Sequence, residues 1–225
     1  MIDRLAHFIW LGDGDVPADW PGYEDFLDLN PGWDVRLWRG PPPEFGGVMR
    51  DVFNAVPLAC QQADLLRAWL LYQYGGLYFD MDFLFLRPAD PLLTKSPWVP
   101  KARDPAYNNC AMGGTPGEAF FQAVMDRQHE AFLLHQEEDL AERRLLFGPR
   151  VITDLIEQDG WTPVVIPWLK LHAPKHAGRV PNRIRRMPVE RRIEHLRALQ
   201  LKPEWSGPKA IGWHTFAKNF SEAVA

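Results

Sequence analysis

The sequence is poor in cysteine, with only Cys60 and Cys110 among 225 residues. They allow at most one bridge, which excludes a disulfide-stapled scaffold and suits a reducing compartment. No apolar run approaches the ~20 residues that span a bilayer. Charged and polar side chains also interrupt the first ten residues, so we expect no signal-peptide core there. Together these absences predict a soluble, cytoplasmic protein.

Several common catalytic signatures are also missing. No Gly-x-Gly-x-x-Gly follows a strand pattern and no Gly-x-x-x-x-Gly-Lys-Ser/Thr occurs, which argues against dinucleotide and P-loop sites. No Gly-x-Ser-x-Gly occurs and neither cysteine lies in a Cys-x-x-Cys pair, which argues against a hydrolase elbow and a zinc ribbon. The chemistry has to be sought among the carboxylates.

The formal net charge of −4 is modest, but the charge is unevenly distributed. Residues 170–209 contain eleven Lys or Arg against three Glu, a local charge of +8 that leaves −12 for the rest of the chain. The simpler interpretation is a solvated basic surface without a binding role. The sharper hypothesis is a surface for an anionic acceptor, to which Arg183, Arg185 and Arg186 would belong.

Apolar residues make up 46% of the chain and aromatic residues 12%, enough for a sizeable core. Short apolar runs that predict strands alternate with amphipathic stretches that predict helices. The predicted strands are 5–11, 33–38, 77–80, 109–113, 163–167 and 210–213, and the predicted helices are 58–74, 116–135, 151–159 and 189–199. This alternation, without an internal repeat or a low-complexity linker, predicts one α/β domain.

The strongest chemical feature is Asp80-Met81-Asp82, directly after a predicted strand. Carboxylates at i and i+2 of an extended chain point to the same side and can converge on one hard cation, or on a cation and a sugar hydroxyl. The spacing alone is weak, and two solvated acids at a strand end are the bland alternative. Apolar residues flank the pair on both sides, however, and charges in such surroundings need a partner, which favours a site.

Asp64 and Arg67 lie one turn apart in the predicted helix 58–74, among apolar residues that indicate burial. An ion pair on the rim of the helix is the bland interpretation. Gly75-Gly76, however, ends this helix and leads directly into the strand before Asp80. Both side chains are therefore expected to reach the same pocket as Asp80.

These blocks resemble the DXD-motif glycosyltransferases, a group that includes yeast initiating-mannosyltransferase-like enzymes and, more remotely, the glucosylating domain of large clostridial toxins. The specific part is Ala63-Asp64-Leu65-Leu66-Arg67 followed by Tyr74-Gly75-Gly76-Leu77-Tyr78-Phe79-Asp80-Met81-Asp82. The supporting pieces are His7-Phe8-Ile9-Trp10, Asn30-Pro31-Gly32-Trp33, Leu37-Trp38, Asn108-Asn109, Gly148-Pro149 and His214. The likeness covers about residues 5–220, and the chain departs from the family at Asn219-Phe220, where Ser-Trp is usual.

The resemblance implies one α/β, GT-A-like domain over residues 1–225, with a mixed central sheet flanked by helices. Residues 1–115 would form the nucleotide-sugar-binding half and residues 116–225 the acceptor-side half. It further implies a hexosyltransferase that uses a UDP- or GDP-sugar and a divalent cation, manganese or magnesium, and that retains the anomeric configuration. We expect the acceptor hydroxyl to belong to a cell-surface glycan or a lipid-linked saccharide, and we expect peripheral membrane contact as a separate feature.

By the same resemblance, Asp82 is the direct metal ligand, Asp80 contacts ribose or sugar and supports the metal, and His214 is a further ligand. Asp64 and Arg67 would bind hydroxyls of the donor sugar, and together with Asp80 and Asp82 they form the implied catalytic set. The other implied donor contacts are Tyr78, Asn108, Asn109 and Trp10, the last by stacking on the base. The competing interpretations are a core position for Trp10, a turn for the two asparagines and a hydrogen-bonded strand end for His214.

Three alternative functions stay open at this point. A metal-dependent hydrolase would use the same two acids, a non-catalytic module would bind nucleotide sugars without turnover, and a related transferase would act on nucleic acid or another polyanion. Donor turnover without an acceptor separates a hydrolase from a transferase. No residue identifies itself as a covalent nucleophile, which is consistent with a front-face displacement.

Overall fold

The computed structural model describes residues 1–16, 20, 22–85, 88–101, 107–135, 139–140, 145–166 and 212–214, with the side chains of 84 and 212–214 excepted. The predicted helix 189–199 and the basic stretch 170–209 lie outside the described residues. Among the helices of the described part, none is long and apolar enough to cross a membrane.

A six-stranded mixed sheet forms the centre of the fold. Its strands are β1 (Leu5–Ile9), β2 (Asp34–Trp38), β3 (Gly76–Phe79), β5 (Trp98–Pro100), β6 (Ala111–Gly114) and β7 (Val164–Ile166), in the order β2-β1-β3-β6-β5-β7. The pairs β1–β2, β1–β3 and β5–β7 are parallel, whereas β6 runs antiparallel to both of its neighbours. A second small sheet pairs β4 (Phe83–Phe85) with β8 (Gly212–His214) in antiparallel fashion.

Helices cover the sheet on both faces. They are α1 (Gly22–Leu29), α2 (Gly47–Ala55), α3 (Ala59–Tyr74), α4 (Ala119–His135) and α5 (Pro149–Glu157). Side chains alternate between the two faces of the strands, so Ile9 and Tyr78 join the core under α2 to α5, while Phe8 and Phe79 join the core under α1 and β4. The fold is therefore a three-layer α/β arrangement with two buried cores.

The glycine pair after α3 turns the chain sharply into β3. The N–H of Gly75 donates to the O of Leu71 at 3.0 Å and ends the helix, and both glycines have positive φ, +67° for Gly75 and +85° for Gly76. A Cβ added at Gly76 would lie 2.5 Å from the backbone O of Leu5, so only glycine fits between the helix end and β1. Helix and strand therefore run back to back, in opposite directions.

The structure confirms the predicted strands and helices within its described part, with ends shifted by a few residues. The sequence patterns missed α1, α2, β4 and β5. Met49, Val52 and Phe53 have helical spacing in α2 and are buried, but two turns after a proline-rich loop are too short to stand out. The strands β4 and β5 have three residues each, which is below the length at which alternation is informative.

Candidate active site

The site lies at the edge of the sheet where β1 and β3 end. The chain leaves β1 at Ile9 toward β2 on one side, and β3 lies on the other side of β1, so the order of strands reverses here. Clefts in open α/β sheets form at such reversals, outside the carboxyl ends of the strands. Asp80 follows β3 at this edge, and its backbone N–H donates to the O of Cys110, directly before the antiparallel β6, at 2.8 Å. The predicted acid and the predicted asparagines therefore meet.

Element lengths explain why Arg67 reaches Asp80. Eight residues of helix separate Arg67 from Gly75, about 12 Å at ~1.5 Å per residue. Four residues of strand separate Gly76 from Asp80, about 13 Å at ~3.3 Å per residue. Because the glycine pair reverses the chain, the two side chains arrive at the same level above the sheet.

Arg67 is the centre of the site and is 6% exposed. Its Nη1 lies 2.9 Å from Oδ1 of Asp80 and donates to the backbone O of Asn109 at 2.8 Å, while its Nη2 lies 3.1 Å from Oδ1 of Asp64. The guanidinium carbon lies 4.5 Å from the centre of the Tyr78 ring. Burial lowers the pKa of Arg67, but the carboxylate of Asp80 and its other neighbours raise it above its ordinary value, so the guanidinium stays charged.

The Asp64 carboxyl lies deeper than Asp80 and is 7% exposed. Its Oδ1 accepts a hydrogen bond from Nδ2 of Asn109 at 2.7 Å in addition to the pairing with Arg67. Burial raises the pKa of Asp64 to about 6, although Arg67 and Asn109 act in the opposite direction. Asp64 is therefore an acid whose charge changes just below neutral pH.

Tyr78 holds the Asp80 carboxylate in place through a hydrogen bond. Its hydroxyl donates to Oδ1 of Asp80 at 2.7 Å, the same oxygen that pairs with Arg67. Burial raises the pKa of Tyr78 well above its ordinary value, so the phenol stays a donor at neutral pH. The side chain of Asp80 is 23% exposed, which makes it the more accessible partner of the Arg67 pairs.

The turn from Asp80 to Phe83 is held by α1. The backbone N–H of Gly22 donates to the O of Met81 at 3.2 Å, and a Cβ added at Gly22 would lie 2.6 Å from the O atoms of Met81 and Phe83. Asp82 is buried in this turn, 7% exposed, and the register of the small sheet sets His214 opposite Phe83. The three implied metal ligands thus come from neighbouring positions. The described side chains contain no group of three or more His, Cys, Asp and Glu suited to a metal ion.

The other predicted donor residues have defined places. The Trp10 ring is 4% exposed, makes an edge contact with Trp20 at 5.4 Å, and its Nε1 donates to the O of Gly14 at 3.3 Å. Oδ1 of Asn108 accepts the backbone N–H groups of Asn109 and Cys110 at 2.7 and 3.0 Å, which is a turn-forming role. Base stacking by Trp10 and donor contact by Asn108 stay predictions. Arg183, Arg185, Arg186 and Asn219-Phe220 lie outside the described residues.

Cys110 borders the site without being its nucleophile. It is 1% exposed, and burial, followed by the nearby charges of Asp80 and Asp82, raises the pKa of its thiol well above the ordinary value. A thiol that stays protonated at neutral pH is a poor nucleophile. Cys110 is therefore a poor candidate for a covalent nucleophile.

Two residues behind Asp64 complete the arrangement. Gly148 lies against the carboxylate, since a Cβ added there would lie 2.6 Å from Oδ2 of Asp64. Gln128 of α4 donates to the backbone O of Asp64 at 2.9 Å. In the sequence, Gly148 stands out only as part of the supporting Gly148-Pro149 motif, and no sequence pattern predicts a role for Gln128. The available signal was a polar residue at a core position of the amphipathic helix 116–135.

Residues 22–99 match the family described as the glycosyltransferase sugar-binding region containing the DXD motif. The resemblance to DXD-motif glycosyltransferases is confirmed. This DXD region, residues 22–99, contains α1, α3, β3 and the Asp80–Asp82 pair, so most of the network just described lies inside it.

Two fungal proteins illustrate the likeness among curated relatives. The chain is 30% identical over 143 residues to inositol phosphoceramide mannosyltransferase 3 of Schizosaccharomyces pombe, covering 60% of this chain and 39% of that protein. It is 31% identical over 137 residues to mannosyl phosphorylinositol ceramide synthase SUR1 of Saccharomyces cerevisiae, covering 57% of this chain and 35% of that protein. The aligned part therefore spans well under half the length of these relatives.

Solved structures show the same fold. PaToxG glycosyltransferase superposes with a TM-score of 0.58 at 17% identity, over 71% of this chain and 69% of that chain. The ligand-free glycosyltransferase domain of the YGT toxin superposes with a TM-score of 0.52 at 10% identity, over 74% and 79%. The predicted GT-A-like fold, a mixed central sheet flanked by helices, is thereby confirmed.

Proposed function

We propose that the protein is a metal-dependent, retaining glycosyltransferase that moves a sugar from a nucleoside diphosphate sugar to an acceptor hydroxyl. The observation that supports this most is the buried guanidinium of Arg67, which joins Asp64 to Asp80 inside the DXD region. A buried network in which one guanidinium serves two carboxylates, at the carboxyl edge of a sheet, suits a site better than it serves stability.

The names of the two fungal relatives favour a mannosyl donor, because both proteins are named for mannosyl transfer. We take GDP-mannose as the first donor to test and UDP-sugars as the second. Asp64 and Arg67 bind the sugar hydroxyls in this proposal, Asn108 and Asn109 line the same pocket, and Trp10 stacks on the base. Tyr78 contributes indirectly, by holding Asp80.

The residues at the DXD turn suit a hard divalent cation, manganese or magnesium. Asp80 and Asp82 supply carboxylate oxygens, the ligands that such ions prefer. The backbone of His214 lies opposite Phe83, the residue after Asp82. When bound, the cation would stabilise the negative charge that develops on the leaving diphosphate.

The chain's own residues then have separate tasks. Arg67 and Asp64 orient the sugar, and the negative charges of Asp64 and Asp80 stabilise positive charge at the anomeric carbon. Tyr78 keeps Asp80 in place through its 2.7 Å hydrogen bond. In a front-face displacement the leaving phosphate accepts the proton of the attacking hydroxyl, so the protein needs no nucleophile of its own.

We further propose that residues 1–225 form one domain, with a donor half at 1–115 and an acceptor half at 116–225. The basic stretch 170–209, including Arg183, Arg185 and Arg186, would face an anionic acceptor. The names of the relatives refer to phosphoinositol ceramides, which are anionic lipids, so an anionic lipid headgroup at a cytoplasmic membrane face is the acceptor class to test first.

The decisive experiment compares the wild type with Asp82→Asn. We expect GDP-mannose to raise the melting temperature of the wild type only when manganese is present, and Asp82→Asn to lose this shift while melting normally without ligand. Mass spectrometry of products from a panel of donors, with and without anionic-lipid vesicles, tests transfer. If Asp82→Asn transfers sugar as well as the wild type does, the metal assignment is wrong. If the nucleotide sugar is cleaved without an acceptor, the protein is a hydrolase.

A further inference from the structure

Gln128, in the middle of α4, is 1% exposed and joins three elements around Asp64. Its Nε2 donates to the backbone O of Asp64 on α3 at 2.9 Å and to the backbone O of Phe147, just before α5, at 2.7 Å. Both partners are carbonyl oxygens, so the amide nitrogen has to face them and the orientation of the side chain is determined. Gln128 therefore fixes the distance between α3 and the Phe147–Gly148 turn.

The amide oxygen of Gln128 helps to show why the two donated bonds are important. Its Oε1 is buried and has no hydrogen-bond partner among the described residues. A buried acceptor without a partner destabilises the fold, and a methionine of similar length would avoid that cost. The two donated bonds are therefore what an amide adds at this position, and they end on Asp64 and on the turn before Gly148.

The turn held by Gln128 packs closely against the Asp64 carboxylate. Gly148 follows Phe147, and a Cβ added at Gly148 would lie 2.6 Å from Oδ2 of Asp64 and 2.8 Å from Nδ2 of Asn109. The backbone of the turn thus packs against Asp64 on the side of Oδ2, while Oδ1 faces Arg67 and Asn109. The carboxylate is held between the turn and its two partners.

We propose that Gln128 is a positioning residue of the active site, which acts by holding the Phe147–Gly148 turn against Asp64. The turn fixes the Asp64 carboxylate, the carboxylate orients Arg67, and Arg67 pairs with Asp80 at the DXD turn. The geometric part of this inference stands alone, and its effect on donor binding rests on the proposed function. Gln128 uses both of its donated bonds on backbone atoms, so it acts through Asp64 rather than on the donor.

The test replaces Gln128 by methionine, which keeps the volume and removes both bonds. The matched control is Gln122→Met on the same helix, because within the described part of the chain the amide of Gln122 bonds only to the neighbouring, exposed Asp126. Protein labelled with ¹³Cγ-aspartate reports the surroundings of Asp64 at fixed pH without added metal, and the Asp64→Asn variant assigns the signal. Calorimetry with GDP-mannose and manganese reports donor affinity.

We expect Gln128→Met to shift the Asp64 signal and to weaken donor binding at least tenfold, with a melting temperature within a few degrees of the wild type. Gln122→Met should change neither. Gly148→Ala, which displaces the same turn without removing a bond, should shift the same signal, and the two changes combined should weaken binding by less than the product of their separate effects.

The two proposals fail in different ways. If the Asp64 signal of Gln128→Met matches that of the wild type, or if donor binding is unchanged, the positioning role is wrong. If wild-type protein binds no nucleotide sugar while the Asp64 signal shifts, the geometric role of Gln128 stands and the proposed function fails. If Gln128→Met does not fold, an unchanged Asp64 signal in Gly148→Ala overturns the inference and a shifted one supports it.

Discussion

Nη1 of Arg67 lies 2.9 Å from Oδ1 of Asp80, across the reversal from helix α3 into strand β3. The pair forms because a helix and a strand of matched length run in opposite directions from one glycine pair. The same guanidinium also pairs with Asp64, so one residue determines the relative positions of both acids. Each of the first two predictions changes one member of this arrangement.

Arg67→Lys keeps the charge and removes the planar fork that serves Asp64, Asp80 and the carbonyl of Asn109 at once. We expect a destabilisation of about 1–3 kcal/mol from buried acceptors left without donors. We also expect at least a tenfold loss of nucleotide-sugar affinity, measured by chemical unfolding and calorimetry. Arg36→Lys is the control, since Arg36 forms an exposed pair with Asp34 and should cost under ~1 kcal/mol. Wild-type affinity in Arg67→Lys would contradict the assigned role.

Asp64→Asn tests the protonation of the buried acid. The pKa of Asp64 is raised to about 6 from 3.8, so the folded state disfavours the charged form. The stabilising contribution is present below pH 3.8 and is lost as the pH rises through 6, a change of roughly 3 kcal/mol. Between pH 4 and pH 8 the free energy of unfolding of the variant should therefore rise more steeply with pH than that of the wild type. Asp51→Asn, at an exposed position of α2, should follow the wild type.

His7 should produce the opposite pH dependence. Its Nε2 bonds to the O of Gly75 at 2.9 Å and its Nδ1 accepts from Nε1 of Trp38 at 3.1 Å, so the ring is neutral. Burial lowers the pKa of His7 to about 4, and stability from this group is present above pH 6.5 and lost as the pH falls through 4. At pH 5 the loss amounts to about 2 kcal/mol relative to pH 8.

His7→Gln keeps a donor for Gly75 and removes the titration, so the variant should lose less stability on acidification than the wild type. Because Asp64 and His7 act in opposite directions between pH 4 and pH 6.5, the wild type should show a shallow profile and each variant a steeper one of opposite sign. His129→Gln, at a half-buried position of α4, is the control. If the wild type, Asp64→Asn and His7→Gln show the same dependence of unfolding free energy on pH, the pKa assignments of Asp64 and His7 are wrong.

Gly76→Ala tests the reversal itself. Alanine at φ +85° is strained, and its Cβ would lie 2.5 Å from the O of Leu5 in β1. Gly32→Ala separates the two effects, since Gly32 has φ +82° with nothing within 4 Å. We expect about 1 kcal/mol for Gly32→Ala and a much larger loss for Gly76→Ala, because the added Cβ pushes the start of β3 away from β1. Similar unfolding midpoints for the two variants would contradict this prediction, because they would show that β1 can move aside at little cost in stability.

Local signals were enough to predict the DXD acids, the helix before them and the α/β class. Asp64, Arg67 and Asp80 meet because short-range features determine their positions: helix period, a glycine stop and a strand end. Gln128 escaped prediction because its partners are backbone carbonyls of residues 64 and 147, and no sequence pattern records a bond to a backbone atom. The burial of Trp10 likewise depends on Trp20 and Gly14, which follow in an irregular loop.

The pairing of β4 with β8 has a consequence for how the protein is made. Phe83 follows the second acid of the DXD motif directly, yet its strand partner His214 is synthesised more than half a chain later. The six strands of the main sheet are all present once residue 166 has emerged, whereas the small sheet beside Asp82 has to wait for β8. Contacts between such distant segments form late, because the intervening chain must first be ordered or looped out. During translation the scaffold thus precedes the completed site, and a nascent chain acquires its full DXD surroundings only after residue 214 has emerged.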